Sequence, residues 1–273
     1  MTIILGIDAA WTASQPSGVA LVSSTSGNWR LIFAGSSYRR LLDHGKGGLI
    51  SDSRPLGSVA EPAALLAAAG KIAEAPVDLV AVDMPLSLEP ITARRTSDNL
   101  VSAAYGARYC STHTPSATRP GKISDDMKGG FGRCGYRLLT KEVGVPGLFE
   151  VYPHPALVEL MNAERRLPYK QGKTRNYWPS ETPAGRRIKL FETWLSIIDG
   201  LKPEIAGVSE ILILPSPEAP AWQLKAFEDM LDAVICAWIG ICVYEGTAKP
   251  FGDDASAIWI PQSGLLSSRR GRP

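Results

Sequence analysis

The chain twice writes the same short phrase: an apolar run that stops on an aspartate. Residues 3–7 read Ile-Ile-Leu-Gly-Ile before Asp8, and residues 79–82 read Leu-Val-Ala-Val before Asp83. Runs of this length fit buried strands rather than helices. The pattern predicts strands at 3–8, 18–23 and 29–36. The turn chemistry between them, Gln15-Pro16-Ser17-Gly18 and Ser26-Gly27-Asn28, favours antiparallel pairing. The run at 77–82 is nearly continuous and predicts a central, parallel strand. Residues 38–56, rich in Gly, Ser and Arg, read as a loop. Ser58 reads as the N-cap of an Ala- and Leu-rich helix that ends near residue 74.

Farther along, a helix is expected at 92–105 and a long Gly-, Pro- and Arg-rich loop at 111–132. A strand at 148–152 follows, then a short helix at 156–165 and a basic, aromatic loop from 167 to 179. Residues 183–198 predict an amphipathic helix with Ile188, Leu190, Phe191, Trp194, Leu195 and Ile198 on its apolar side. Residues 201–220 carry no clear pattern. A helix at 225–238 begins polar and becomes apolar on nearly every side, and a last strand falls at 256–261. The Arg-rich tail, residues 264–273, reads as disordered.

The acids change this picture from fold to chemistry. Two parallel strands that both end on aspartate deliver two carboxylates to one sheet edge, where ligands of open α/β sheets gather. Each aspartate alone is about as well explained as a turn or capping residue. Glu150 lies inside a strand, where an acid is unexpected. Asp229 and Asp232, at i and i+3, share one face of their helix. Their place near its start has an ordinary electrostatic explanation, although Asp232 leads straight into the buried stretch. Oxygen-rich sets of this kind suit Mg²⁺ or Mn²⁺.

Composition excludes several classes. Of 273 residues, 45% are hydrophobic and 21% charged, as in globular proteins. The N-terminus has no basic, apolar leader, and the apolar run 233–244 is too short to span a membrane, so a cytoplasmic chain with no membrane partner is expected. Its four cysteines form no Cys-x-x-Cys pair, which argues against zinc. The net charge of +2 hides an asymmetry. Residues 94–189 hold 17 Lys and Arg against 8 Asp and Glu, leaving 12 against 19 elsewhere. A basic middle with an acidic remainder suits a protein that grips a polyanion, and fits a merely solvated face about equally well. Gly172-Lys173-Thr174 is not a phosphate loop, because position 167 is Leu rather than Gly. His113 and His154 each sit beside proline turns, where a hydrogen-bonded loop histidine is about twice as common as a ligand or acid–base group.

Several segments together resemble the DUF429 family. They are Gly6-Ile7-Asp8-Ala9-Ala10-Trp11, Asp83-Met84-Pro85-Leu86-Ser87, Arg94 with Ser97-Asp98, Glu150-Val151-Tyr152-Pro153-His154-Pro155-Ala156, Leu167-Pro168-Tyr169-Lys170 and residues 229–237. The resemblance implies a single α/β domain over 1–273 with a ribonuclease H-like mixed sheet: three antiparallel strands, then parallel ones. Helices would lie on both faces, with a long insertion at about 92–146. It implies a metal-dependent nuclease in which Asp8, Asp83 and Asp229 or Asp232 bind Mg²⁺ or Mn²⁺. Glu150 would be a further catalytic acid and His154 a proton-transfer group, and Arg94, Lys170 and Lys173 would contact substrate phosphate. Nucleic acid is the expected partner, DNA and RNA not being distinguished. Oligomeric state stays open, a homodimer included. Two alternatives stay open too: a small-molecule phosphotransferase of the actin and sugar-kinase type, and a non-catalytic nucleic-acid-binding module.

Overall fold

A computed structural model describes residues 1–48 and 53–270, with the side chains of 267–270 excepted. The antiparallel start is as expected. Strands β1 (Thr2–Asp8), β2 (Gly18–Thr25) and β3 (Asn28–Gly35) form a meander. The chain then passes through helices α1 (Tyr38–Gly45) and α2 (Pro62–Ala73) into β4 (Leu79–Asp83), which pairs parallel with β1. Helices α3 (Thr96–Tyr105) and α4 (Lys122–Arg133) precede the two-residue β5 (Arg137–Leu138) and then β6 (Gly147–Val151). After these come α5 (Pro153–Leu160), α6 (Thr174–Tyr177), α7 (Pro183–Leu201), α8 (Val208–Ile211) and α9 (Ala221–Tyr244). The hairpin β7 (Ala248–Gly252) and β8 (Ala257–Pro261) and helix α10 (Ser263–Arg270) close the fold. One mixed sheet runs β3-β2-β1-β4-β6-β8-β7, with β5 pairing β6 off this path.

The period-2 pattern of β1 explains the layers. Ile3, Leu5 and Ile7 pack into a cluster with Leu41 of α1, Leu65 of α2 and Phe131 of α4. Ile4 points the other way, into the larger cluster that holds α5, α7 and α9. Helix α9 lies unusually close to this second face. A Cβ on Gly6 would press into the carbonyl oxygen of Ala233 and stand 2.9 Å from the Cα of Ala237. One on Gly18 would stand 2.6 Å from the carbonyl carbon of Asp229, and one on Gly240 would stand 2.6 Å from Cγ2 of Ile4. Glycine at these places lets helix backbone rest on strand backbone. It also sets the height at which the acids of α9 meet the sheet edge.

Several expectations are corrected. Residues 38–45 are helical, not loop: Ser37 caps the helix by accepting from the amide of Arg40, and Tyr38 and Leu41 are buried. The rest of that expected loop includes residues 49–52, which lie outside the described residues. Helix α2 starts at Pro62, not after Ser58; proline's fixed φ suits the first turn, and no side chain caps it. The expected loop at 111–132 holds α4. Its apolar Met127 and Phe131 were masked by glycines, of which Gly130 makes room for Pro62 of α2. In α7, Ile188 and Leu195 face solvent; Leu190, Trp194, Ile197, Ile198 and Leu201 form the buried stripe. Residues 264–270 of the expected disordered tail are helical, with Leu266 buried, and 271–273 lie outside the described residues. Strand β7 was not anticipated; Pro250 within it lowers its strand signal, and it pairs only with β8. Among the described residues no helix is long and apolar enough to cross a membrane.

The backbone contact at Gly6 yields a direct test. Gly6→Ala should lower stability by about 3 kcal/mol or more, since the clash is with backbone that cannot repack. That corresponds to a fall in melting temperature of roughly 6–12 °C for a chain of this size. A melting temperature within a degree of wild type would show that α9 does not sit this close.

Candidate active site at the carboxyl edge of the sheet

Asp8 and Asp83 are register partners at the ends of the parallel strands β1 and β4. Both are half-buried. Neither carboxylate accepts a hydrogen bond or forms an ion pair among the described residues. Burial, then the negative charge of Asp232, raises the pKa of Asp8 from 3.8 to about 7, against the opposing pull of Lys170 and Lys225. Burial, then Asp8, holds Asp83 well above the ordinary carboxylate range. The two strand ends therefore place like charges side by side at some electrostatic cost.

Helix α9 brings three buried acids to this edge: Glu228, Asp229 and Asp232. Their fates differ. Asp232 is fully engaged, since the Tyr169 hydroxyl donates to Oδ1 at 2.7 Å and the Lys170 ammonium donates to Oδ2. Glu228 is engaged too: Lys225 donates to Oε1 at 2.8 Å and the amide of Gln171 to Oε2 at 2.5 Å. Asp229 accepts from Lys225 through Oδ1 at 2.5 Å, while its Oδ2 is buried with no partner. Burial pushes Asp229 well above its ordinary pKa despite Lys225. Two lysines thus serve the acids as internal counter-ions. Burial alone would discharge Lys170, but Asp232, Glu228 and Asp8 outweigh it and hold the ammonium form firmly.

Glu150 has a different environment. It is clamped by Arg95, whose Nη1 donates to Oε2 at 2.6 Å and Nη2 to Oε1 at 2.8 Å, with the Leu86 amide at 2.7 Å. Arg95 also holds Asp98 at 2.9 Å and the carbonyl of Leu86 at 2.8 Å. This buried pair staples the segment after Asp83 to the start of α3. Removing one partner of such a pair strands a charge, whatever the pair's net worth. Arg94, one residue earlier, braces Asn99, Ser102, Thr114 and the carbonyl of Asp98. His154 is buried, its ring 5.4 Å from both Tyr152 and Tyr169, and its Nδ1 has no partner. Burial, then Lys170 and Arg166, holds His154 neutral. Lys173 is exposed beside the cluster.

The structure therefore brings Asp8, Asp83, Asp229, Asp232, Lys170 and His154 to one region and gives Glu150 and Arg94 bracing contacts. Reading the sequence did not single out Tyr169, Lys225, Glu228 or Arg95 as partners. Lys225 and Glu228 carried a signal, for they sit one turn and one residue before Asp229. The fit to a divalent cation can be judged from the donors. Asp8, Asp83 and Oδ2 of Asp229 offer carboxylate oxygens without protein partners, the chemistry a hard cation needs. Among the described residues no group of three or more His, Cys, Asp or Glu side chains is arranged to hold a metal ion. The residues make no all-protein cage; a cation of the Mg²⁺ kind asks for only one or two protein carboxylates, and Asp8 and Asp83 are the residues that would supply them.

The family model described as "Protein of unknown function (DUF429)" matches residues 136–257 and supports that family for this chain. The matched stretch carries Glu150, His154, Lys170, Lys173, Asp229 and Asp232, and leaves Asp8, Asp83 and Arg94 outside it. No curated protein and no solved structure matches the chain.

The raised pKa of Asp8 has a consequence for stability. The unfolded chain releases this proton near 3.8 and the folded chain only near 7, so ionisation costs stability as pH rises through that window. The urea midpoint of wild type should fall between about pH 5 and about pH 7.5, and fall less in Asp8→Asn. Equal slopes in the two proteins would show that Asp8 titrates normally.

Proposed function

We propose that this chain is a Mg²⁺- or Mn²⁺-dependent hydrolase of phosphodiester bonds in nucleic acid, built on a ribonuclease H-like sheet. The observation that carries the reading is the pair Asp8 and Asp83: adjacent in register on parallel strands, at one edge, and without protein partners. The order β3-β2-β1-β4-β6, with only β2 reversed among these five strands, supports the fold assignment. Asp8 and Asp83 would hold the cation, with Oδ2 of Asp229 the further donor at hand. A cation bound there supplies charge stabilisation for the attacking and leaving oxygens of the displacement.

The remaining residues have roles of their own. Lys170 donates to Oδ2 of Asp232 and opposes the negative charge that Asp232 places on Asp8. Tyr169, fixed through Trp194 donating to its carbonyl at 2.8 Å, sets the height of Lys170 over the edge. His154 is held neutral by burial and by the cations Lys170 and Arg166, which makes it a weak proton acceptor. The Lys173 side chain makes no hydrogen bond or ion pair among the described residues and is free to meet a phosphate, whereas the guanidinium of Arg94 is already spent. The lysines that fill part of the acidic cluster are also the observation that favours the alternative, a nucleic-acid-binding module without catalysis.

Cleavage assays with Mn²⁺ on single-stranded, duplex and branched oligonucleotides separate the two. The hydrolase reading predicts metal-dependent cleavage that falls at least about a hundredfold in Asp8→Asn and Asp83→Asn, as expected where several kcal/mol of charge stabilisation are lost. Both variants should keep the wild-type circular dichroism spectrum. Undiminished cleavage in both would remove this edge from the chemistry, and no cleavage of any substrate by wild type would leave the binding module.

A further inference from the structure

Beside the acids lies a set of cations that has no acids. Other half-buried arginines among the described residues have side-chain partners: Arg95 pairs with Glu150 and Arg108 with Glu159 at 2.8 Å, Arg94 and Arg186 bond uncharged groups, and Arg40, whose Nη1 is buried without a partner, still donates through Nη2 to the carbonyl of Ser53 at 2.6 Å. Arg166 has none. It is half-buried, its side chain forms no hydrogen bond or ion pair, and its Nε is buried with no partner. It lies on the segment between α5 and α6 that also carries Lys170 and Lys173. Across from it, on the segment between α3 and α4, are His113 and Arg119. Trp11, three residues beyond Asp8, joins this set to the acidic edge. Its ring stands edge-on to His113 at 6.4 Å, and the Arg119 guanidinium lies 5.9 Å from the ring centre.

These groups are near enough to discourage one another's charge. Burial first, then Lys173, Arg166 and Arg119, lower the pKa of His113. Burial, then Arg166 and Lys170, lower that of Lys173. An unpartnered, buried guanidinium nitrogen within mutually repelling cations costs folding free energy and calls for an explanation. A bound anion would supply one: it would satisfy the orphaned donor and reverse the repulsion. A guanidinium fork with an ammonium beside it suits the several oxygens of a phosphate.

We propose that Arg166 and Lys173, with His113 at the margin, form a phosphate-binding site that flanks the Asp8–Asp83 edge. Arg166 is its centre. This rests on the preceding reading in one respect only: it takes the phosphate to belong to a nucleic-acid backbone, one group removed from the phosphodiester that the carboxylates would address. The site itself needs no metal.

The test is therefore run in EDTA, by fluorescence anisotropy of a labelled single-stranded oligonucleotide across a salt series, with inorganic phosphate as competitor. Arg166→Gln and Lys173→Gln should each weaken binding about tenfold, as loss of a charge-assisted contact does. Each should also reduce the slope of log affinity against log salt by about 0.7. Lys71→Gln, on the exposed last turn of α2, should change neither. Wild-type affinity and slope in the Arg166→Gln/Lys173→Gln double variant would overturn the proposal, as would a wild type that binds neither probe. Inorganic phosphate binding that depends on Arg166, without oligonucleotide binding, would confirm the site and give it to a small phosphorylated ligand. Failure of the two readings is separable. Variants that lose binding in a protein that never cleaves keep this site and remove hydrolysis. Variants that bind normally in a protein that cleaves with Mn²⁺ do the reverse.

Discussion

Everything at the sheet edge depends on how closely α9 lies on β1 and β2. Gly6, Gly18 and Gly240, against Ala233 and Ala237, remove the side-chain layer that normally separates a helix from a sheet. The buried stretch of α9 is apolar on nearly every side, so it packs against strands on one flank and against α5 and α7 on the other. Its first turns run past the ends of the strands and carry Glu228, Asp229 and Asp232 to the place where β1 and β4 end on Asp8 and Asp83. A larger residue at Gly6 or Gly18 would lift the helix and separate the two groups of acids.

Crowding so many acids has an electrostatic cost, and the chain meets it in two ways. Lys170 and Lys225 neutralise the acids of α9, and Arg95 neutralises Glu150. Asp8 and Asp83 have no such partner, and burial first, then the neighbouring acids, raises their pKa values. The division decides which oxygens stay available. Asp232, with both oxygens bonded, acts as the anchor that holds Tyr169 and Lys170 over the edge. Asp229 keeps one oxygen without a partner. Between the two α9 aspartates, the hydrogen bonds thus favour Asp229 as the additional donor.

Much of this was legible from the residues alone. The repeated phrase of apolar run and aspartate located β1 and β4 and their shared edge, because a buried parallel strand leaves a plain pattern. The polar start of α9 was equally clear. Short or masked elements were not: α1 has only two buried residues, and α4 hides Met127 and Phe131 among glycines. The partners of the acids were less legible still. Nothing in local spacing says that Lys170 and Tyr169 reach across 62 and 63 residues to Asp232. Nor does it say that Arg95 rather than Arg94 closes on Glu150. In an extended segment, neighbouring side chains point opposite ways, so one position decides whether an arginine meets the core or the surface. Asp98, three residues after Arg95 and bound to it, was the one local hint.

The central claim is that Asp8 and Asp83 form a cation-binding edge to which Asp232 does not contribute. Calorimetric titration of Mn²⁺, in the presence of an uncleavable oligonucleotide, tests it most directly across wild type, Asp8→Asn, Asp83→Asn and Asp232→Asn. The account predicts binding by wild type and by Asp232→Asn, and its loss in the other two. Binding that survives in Asp8→Asn and Asp83→Asn, or that disappears only in Asp232→Asn, would contradict it.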